Sequence, residues 1–372
     1  MRPRAHAWIA HMTETITIGP YHPYLLEPSI VDLQVQEGKV ADATVTVGFV
    51  NRAVEELMAT KTYRQDVFLA ERICGICSNI HTLAFCQAAE EIMGIDVPAR
   101  ATHIRTIFVE LERLHSHYLS LALLAHAVHD GVHFARIMKE RETLISLLER
   151  LSGNRVHYGV NAIGGVRRDL TEELAAELRA SLPTLQALSD FVVDALGRAG
   201  ALGSKIAGYG ALSGADALTL GAVGPTLRGS GIDSDVRRED GYAAYGDVHF
   251  DVVVETDGDV RARFMVRARE TRESVRIVNQ LLAELPPGPI LGELKEPNLK
   301  ERREVIGRVE APRGELIYFI RSNGTNVPER VKVRTPTFAN LCFLTRALKG
   351  EPAEHARAII ESIDPCLSCT DR

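Results

Sequence analysis

The chain has 372 residues, of which 45% are hydrophobic and 25% are charged, and its formal net charge is -6 at pH 7. This composition is typical of a soluble globular protein, and the weakly acidic balance argues against general nucleic-acid binding. No apolar run is long enough to span a bilayer, and the stretch 1–12 lacks the apolar core of a signal peptide. Met12 is an alternative start to Met1.

The N-terminal stretch, 12–50, is predicted to be rich in β-structure. Apolar residues alternate over 14–18 and over 31–35, as expected for strands with one buried face. A Glu-Gly pair at 37–38 predicts a tight turn, and a return strand over 45–47 follows it. This part of the chain is therefore predicted to form a short sheet.

The next stretch, 51–200, is predicted to be a helical core. Apolar residues at helical spacing predict helices over 81–93, 103–127 and 134–151. A fourth helix is predicted to begin at Asp169, with Glu172 reaching back as in a capping box. Pro183 is expected to kink or break that helix, because proline removes a backbone donor.

The stretch 201–372 is predicted to be mixed. Residues 200–246 are rich in glycine and poor in periodicity, which predicts an ordered loop across the helical core. A helix over 260–283, a hairpin and two short helices are expected to follow. The hairpin strands, 315–320 and 330–334, flank a Ser-Asn-Gly turn signal.

Six arginines lie on the predicted 260–283 helix, with acidic residues among them. We interpret this pattern as a solvated helix face rather than a nucleic-acid patch. The six are Arg261, Arg263, Arg267, Arg269, Arg272 and Arg276.

Two Cys-x-x-Cys pairs lie near opposite ends of the chain, Cys74 with Cys77 and Cys366 with Cys369. Four thiolates are a soft, charged donor set that suits zinc, nickel, Cu(I) or iron–sulfur chemistry. Structural zinc is the commonest use of such pairs, although zinc modules usually keep both pairs close in sequence. Pairs this far apart predict a metal that joins the two ends of a large domain, as a staple or as a reaction centre. Disulfides are the weakest interpretation.

The predicted fold is α+β and predominantly helical. We expect a long-helix bundle core with small peripheral β-sheets, in a single domain over 1–372, and the two Cys pairs converging on a buried metal site. The remaining cysteines, Cys86 and Cys342, lie in apolar surroundings and are predicted to be buried core thiols.

The two Cys pairs and their neighbours resemble the two signatures of [NiFe]-hydrogenase large subunits. The signatures are RICGICSNIH at 72–81 and DPCLSC at 364–369. Three further segments resemble the membrane-bound, energy-converting branch (group 4), which shares ancestry with the large quinone-site subunit of respiratory complex I. They are GPYHP at 19–23 with Glu27 and Pro28, ELERLHSH at 110–117, and APRGEL at 311–316.

The resemblance implies a Ni–Fe centre with CO and two cyanides on the iron. Cys77 and Cys369 would bridge nickel and iron, whereas Cys74 and Cys366 would bind nickel only. H2 would be split heterolytically, with the thiolate of Cys366 as the usual first proton acceptor.

The resemblance also implies roles around the metals. Arg313 would lie over the open metal position, Thr337 with the preceding Pro336 would bind the cofactor through a cyanide, and Glu27 would relay protons. His81 would hydrogen-bond a bridging sulfur. Without the resemblance, Arg313 is more simply a surface ion pair, Thr337 a helix cap, Glu27 a surface acid and His81 a cap or core residue.

The chain departs from the family at two places. Asn51 stands where many relatives carry His. Glu55 aligns with a ligand of a second, structural cation in other branches, but Arg372 stands where those branches have His. A second cation is therefore left open.

The function that the resemblance implies is the catalytic subunit of a membrane-associated hydrogenase. The chain would carry no Fe–S cluster, and its partners would be a [4Fe-4S]-bearing small subunit, membrane ion-translocating subunits and a ferredoxin-like carrier, at the cytoplasmic face of the membrane. A non-catalytic complex-I-like subunit with a quinone or coupling site is the runner-up, and a structural zinc protein is the third hypothesis. The electron donor, the coupling ion and the direction of catalysis stay open.

Overall fold

The computed structural model describes residues 13–22, 25–293 and 302–372. The alternative start at Met12 and the Pro23 of the GPYHP motif lie outside these residues. Within them, the chain is mainly helical with small antiparallel sheets, as the sequence predicted.

Strands in the described ranges form three antiparallel sheets, with the orders β1-β2-β3, β4-β5 and β6-β7-β8. They are β1 (Glu14–Ile18), β2 (Ile30–Gln36), β3 (Lys39–Thr46), β4 (Asn161–Ala162), β5 (Gly165–Val166), β6 (Glu304–Ala311), β7 (Gly314–Arg321) and β8 (Arg330–Arg334).

Helices in the described ranges vary from single turns to the long α4. They are α1 (Val54–Met58), α2 (Tyr63–Glu71), α3 (Ser78–Met93), α4 (Ala99–Ala127), α5 (Gly131–Ser152), α6 (Glu172–Ala195), α7 (Gly214–Thr219), α8 (Pro225–Arg228), α9 (Val236–Glu239), α10 (Val260–Ala283), α11 (Pro336–Leu348), α12 (Ala356–Ser362) and α13 (Leu367–Asp371). Short 3-10 segments occur at Gly203–Lys205, Tyr245–Asp247 and Ala353–His355.

The N-terminal sheet follows the predicted alternation. Val31, Leu33 and Val35 of β2 are buried, and the turn falls at Glu37 and Gly38, both with positive φ. Glycine takes that backbone conformation without steric cost, which makes the turn readable from sequence.

The long helices pack on one another: α4 lies against α5 and α10, and α10 also lies against α6. The predicted helix over 260–283 is confirmed at both ends, and the three earlier helices each begin three or four residues before the predicted start. Helix α6 begins at Glu172, because the hydroxyl of Thr171 accepts the first-turn N–H of Leu174. The start predicted at Asp169 is thus wrong.

Pro183 does not break α6, which runs unbroken from Glu172 to Ala195. The prediction of a break is wrong because one face of the helix is buried on both sides of the proline. Leu178, Leu182 and Leu185 all lie in the core. Burial of several leucines, each contributing about 1.5–3 kcal/mol, outweighs a proline cost of about 3 kcal/mol.

The arginines of α10 do not form one solvated face. Arg269 and Arg276 are exposed, but Arg261, Arg263 and Arg267 are buried. Backbone carbonyls from other segments cover this side of α10 and accept the guanidinium hydrogen bonds. Arg263 donates to the carbonyls of residues 210 and 258, and Arg267 donates to that of residue 362.

Two other predictions are corrected, and one is extended by a further strand. Cys342 is exposed on α11, whereas Cys86 is buried as expected. The glycine-rich stretch 200–246 contains three short helices, α7, α8 and α9. The hairpin of β7 and β8 is confirmed, but β6 pairs with β7 as a third strand that the sequence reading missed.

Candidate metal centre

The four paired cysteines come from the two ends of the chain. Cys74 and Cys77 lie in the loop between α2 and α3, and Cys366 and Cys369 lie at the start of α13 and within it. All four side chains are at most 3% exposed. We call these four residues the cysteine centre.

The four sulfurs converge as a metal site requires. The Sγ atoms of Cys74 and Cys366 lie 3.5 Å apart, those of Cys77 and Cys369 lie 3.6 Å apart, and those of Cys366 and Cys369 lie 3.1 Å apart. Tetrahedral metal–sulfur bonds of about 2.3 Å set sulfurs about 3.8 Å apart. Three of the sulfurs, those of Cys74, Cys77 and Cys369, lie within 4.8 Å of one another, and the donor set fits a soft metal ion.

The pKa values of the thiols in the cysteine centre also indicate a site for a cation. Contact with the thiol of Cys369 lowers the pKa of Cys366 to about 7, whereas contact with Cys366 raises the pKa of Cys369 well above its ordinary value. Buried thiolates repel one another, so the protein alone does not hold four of them ionised. A bound metal ion would supply the positive charge that keeps four thiolates ionised.

The first Cys loop is fixed by α4. The carboxylate of Glu112 accepts the backbone N–H groups of Asn79, at 2.6 Å, and Ile80, at 2.9 Å, at the start of α3. His115 contacts the carbonyl oxygen of Ile76 at 2.8 Å. Burial raises the pKa of Glu112 to about 8.

A brace that the sequence reading missed joins the two Cys segments. The guanidinium of Arg52 donates to the carbonyls of Arg72, at 2.8 Å, and Ile73, at 2.9 Å, next to the first pair. It also donates to the carbonyl of Ser368, at 2.8 Å, inside the second pair. An arginine six residues past the N-terminal sheet carries no signal of this role, because its partners are backbone atoms distant in sequence.

Arg313 lies in the turn between β6 and β7 and is buried, so the surface ion-pair alternative is wrong. Its Nη2 donates to Oδ1 of Asp364 at 2.9 Å, and its Nε donates to the carbonyl of Asp364 at 2.7 Å. Its Nη1 donates to Oγ of Ser116 at 3.3 Å. Three donors are thus fixed in a planar fork beside the Asp364–Cys366 segment.

Glu27 is half-buried beside the second pair. Its carboxylate accepts the backbone N–H groups of Leu367 and Ser368 and the hydroxyl of Ser368. Burial, followed by the charge of Cys366, raises the pKa of Glu27 above its ordinary value. Glu27 is therefore neither a free surface acid nor distant from the cysteines.

His81 and Thr337 also reach the cysteine centre. The Nε2 of His81 lies 3.5 Å from Sγ of Cys369, and its Nδ1 lies 2.8 Å from the hydroxyl of Tyr318. The hydroxyl of Thr337 accepts the backbone N–H of Cys366 at 3.1 Å. Thr337 is not the helix cap, because α11 begins at the buried Pro336.

Glu55, the residue aligned with a second-cation ligand, is held by protein cations. It accepts Nε of Arg372 at 2.6 Å, Nζ of Lys332 at 2.8 Å and the backbone N–H of Val333 at 2.9 Å. Hydrogen bonds from these cations keep the pKa of Glu55 low against the effect of burial. These contacts give Glu55 positive partners from within the chain.

Comparisons with known proteins agree with this geometry. The family described as nickel-dependent hydrogenase matches residues 52–173, and the family described as respiratory-chain NADH dehydrogenase, 49 Kd subunit, matches residues 131–307 and 295–372. The chain is 37% identical to the carbon monoxide-induced hydrogenase of Rhodospirillum rubrum, over 97% of this chain and 99% of that protein. It is 36% identical to the membrane-bound hydrogenase subunit alpha of Pyrococcus furiosus, over 96% of this chain and 87% of that protein.

The chain belongs to the group 4 [NiFe]-hydrogenase large-subunit family, which is related to the large quinone-site subunit of complex I. Its relatives also include subunit 4 of the NADH-quinone oxidoreductase of Thermus thermophilus, 34% identical over 96% of this chain and 94% of that protein. A solved structure of a membrane-bound sulfane sulfur reductase, an archaeal respiratory membrane complex, superposes with a TM-score of 0.90 at 29% identity. That match covers 98% of this chain and 100% of the other.

The family therefore contains hydrogenases and other oxidoreductase subunits of membrane-bound complexes. Across the described residues, none of the helices has the length and apolar character needed to cross a membrane.

Proposed function

We propose that this chain is the catalytic subunit of a membrane-associated [NiFe] hydrogenase that evolves or oxidises H2. The observation that carries the proposal is the convergence of four buried cysteine sulfurs from opposite ends of the chain. A Ni–Fe centre with CO and two cyanides on the iron, when bound, supplies the redox chemistry and the polarisation of H2.

In this proposal the four thiolates would hold nickel, and Cys77 and Cys369 would also bind iron. Thiolates are the protein donors best suited to soft metals, and sharing two of them keeps both metals close together. Arg52 and Glu112 position the loops that carry these cysteines, through the backbone contacts described above.

Cys366, Ser368 and Glu27 form the proposed proton route. Sγ of Cys366 lies 3.4 Å from Oγ of Ser368, and that hydroxyl donates to Oε1 of Glu27. The hydroxyl is thus placed to pass a proton between thiolate and carboxyl. A carboxyl with a raised pKa accepts and releases protons more evenly near neutral pH than an ordinary surface acid does.

Three other side chains complete the proposed site. Arg313 would offer its remaining guanidinium donors and its positive charge to the cofactor. His81 stabilises the thiolate of Cys369, which it contacts. Thr337, with Pro336, fixes the backbone of Cys366 and lines the cofactor side of that segment.

The proposed complex needs partners because all four paired thiols are committed to the metal centre, so this chain carries no Fe–S cluster. We propose a [4Fe-4S]-bearing small subunit, membrane ion-translocating subunits and a ferredoxin-like carrier, at the cytoplasmic face of the membrane. The assignment of one domain over 1–372, with the long helices as its bundle core, stays a prediction.

A non-catalytic, complex-I-like role is the second candidate, because relatives include subunits of NADH-quinone oxidoreductase and of F(420)H(2) dehydrogenase. The presence of both Cys pairs favours the enzyme, since a quinone or coupling site has no need of four converging thiols. A structural zinc site is the third candidate.

Metal analysis combined with infrared spectroscopy of the matured complex tests the proposal. We expect nickel and iron in equal amounts, together with CO and cyanide stretching bands. Zinc alone would support the structural-metal alternative, and a metal-free complex with intact quinone chemistry would support the second candidate.

A further inference from the structure

A second buried cluster combines side chains from α4, α8, α10, β6 and the start of α9. We call it the buried ionic network. It consists of four acids, three arginines and one histidine, each at most 1% exposed: Glu110, Asp235, Glu270, Glu310, Arg113, Arg228, Arg237 and His117.

Arg228 is the hub of the buried ionic network. Its guanidinium lies 2.7 Å from Glu270, 2.8 Å from Glu310 and 3.6 Å from Asp235. Arg237 joins Asp235, at 2.6 Å, to Glu110, at 3.3 Å. The members thus form one continuous chain of ion pairs.

Two further contacts close the ends of the network. Arg113 lies 3.3 Å from Glu110, and His117 lies 2.8 Å from Glu270. The nearby Arg267 is outside the network, because among the described residues its guanidinium donates to backbone carbonyls and to none of the four acids.

The acids of the buried ionic network share their cations unequally. Burial lowers the pKa of His117 to about 4, so the imidazole is neutral at neutral pH. Arg228 is then shared by Glu270, Glu310 and Asp235, so an acid with few other donors carries a poorly compensated charge. An unpaired buried charge is costly enough that a protein neutralises it by binding a proton.

The hydrogen bonds indicate which acid takes the proton. Glu110 accepts from Arg113, Arg237, Ser274 and Tyr245. Asp235 and Glu270 each accept from two nitrogens of one guanidinium, at 2.6–3.1 Å.

Glu310 has fewer donors. Among the described residues, its Oε1 accepts from Nη1 of Arg228 at 2.8 Å, and its Oε2 accepts only the backbone N–H of Val236 at 3.3 Å. The charged groups that reach it come from α4, α8 and the start of α9: Arg113, Arg228, Asp235 and Arg237.

We propose that Glu310 is a buried proton-binding site that is distinct from the cysteine centre. Its carboxyl is protonated at mildly acidic pH and releases the proton as the pH rises through neutrality. Burial, together with the neighbouring charge of Asp235, raises the pKa of Glu310 to about 7 despite the opposing effect of Arg228. Glu310 lies near the end of β6, just before the turn that carries Arg313. A proton bound by Glu310 therefore changes the charge next to that turn.

Infrared difference spectroscopy of the purified complex between pH 5 and pH 9 tests this proposal. A buried protonated carboxyl has a C=O stretch that an ionised one lacks, so we expect a component that titrates near pH 7 in the parent. The contribution of Glu310 to this component should be missing from Glu310→Gln, whereas Glu361 still contributes at a similar pH. The matched control is Glu361→Gln, which removes a buried acid of α12 whose pKa burial also raises to about 7. That variant should keep the Glu310 component.

Two outcomes would overturn the proposal. One is a Glu310→Gln spectrum that titrates as the parent does. The other is a Glu310→Gln protein that does not fold, because an amide reproduces the shape and hydrogen bonding of a neutral acid and fails only where the carboxylate is needed.

Discussion

The cysteine centre and the buried ionic network lie in the same core, but their polar groups are satisfied in different ways. Three contacts between sulfurs of the cysteine centre measure 3.1–3.6 Å, and few protein donors reach these atoms. A cation from outside the chain would therefore be needed to balance the charge of the thiolates. In the buried ionic network, guanidiniums from α4, α8 and α9 meet carboxylates directly. The cysteine centre is thus suited to binding a metal, whereas the buried ionic network joins the helices and the strand that carry its members.

The difference has an energetic side. Replacing one cysteine of the cysteine centre removes a metal ligand. Replacing one arginine of the buried ionic network leaves buried carboxylates without their cation. The first change should abolish activity with little unfolding, and the second should lower the free energy of unfolding. The predictions below test this contrast.

The largest effect is expected for Cys77→Ser. A hydroxyl is a poor ligand for a soft metal, and loss of a metal ligand should exceed the roughly 10–100-fold affinity loss typical of outer contacts. We expect loss of nickel and of H2 turnover with retained far-UV circular dichroism. Cys342→Ser, at the exposed cysteine of α11, is the control and should retain metal and activity.

Glu27→Gln should reduce H2 turnover and H/D exchange by roughly 10²–10⁴-fold, because the amide oxygen still accepts the N–H groups of Leu367 and Ser368 but the amide cannot relay a proton. Nickel content should not change. Exchange near the parent rate would remove Glu27 from the proton route. Glu14→Gln, on the exposed face of β1, is the matched control.

Arg228→Met should lower the free energy of unfolding by about 3–5 kcal/mol, since it leaves Glu270 and Glu310 without their shared cation. Urea unfolding followed by circular dichroism measures the loss. Arg276→Met, which breaks an exposed pair with Asp251, should change it by less than about 1 kcal/mol. Equal effects of the two variants would contradict the contrast between buried and exposed pairs.

Arg313→Lys should assemble the metal centre and lose about 100-fold in turnover, which corresponds to about 2.7 kcal/mol of barrier. Lysine keeps the charge but has no planar fork to bond Asp364 twice. Nickel content, infrared bands and turnover should be measured on one sample. Full turnover with an intact centre would reject the role of Arg313.

The smallest effect is the pH dependence contributed by Glu310. With a pKa of about 7 when folded and an ordinary value near 4.5 when unfolded, the native state binds more protons between these values. Stability from this group is therefore greatest at low pH and is lost as the pH rises to 7, by about 2 kcal/mol between pH 5.5 and pH 8. The unfolding free energy of Glu310→Gln should lack this decline, and a parallel curve would contradict the proton site.

Much of the local structure was readable from sequence, for a physical reason. Helix α10 and strand β2 show clear periodicity because one face of each is buried, and glycine marks the β2–β3 turn. Pro183 was misread, because the packing of a whole helix face outweighs one residue's propensity. The buried arginines of α10 were misread because the carbonyls that accept their hydrogen bonds lie far away in sequence.

The candidate site divides in the same way. The sequence by itself determined the donor set: two Cys-x-x-Cys pairs, with Glu27, His81, Arg313 and Thr337 recognised from their motifs. Their metal-site roles stay predictions.

Only the tertiary structure decided the distances between the sulfurs of the two pairs. It alone showed that Arg52 joins the two Cys segments through backbone carbonyls and that Glu310 has few donors in a buried network. Residue types reveal which chemistry a chain carries, because that chemistry resides in the side chains. Distances, burial and charge balance arise from contacts between residues that are remote in sequence, and no local pattern encodes them.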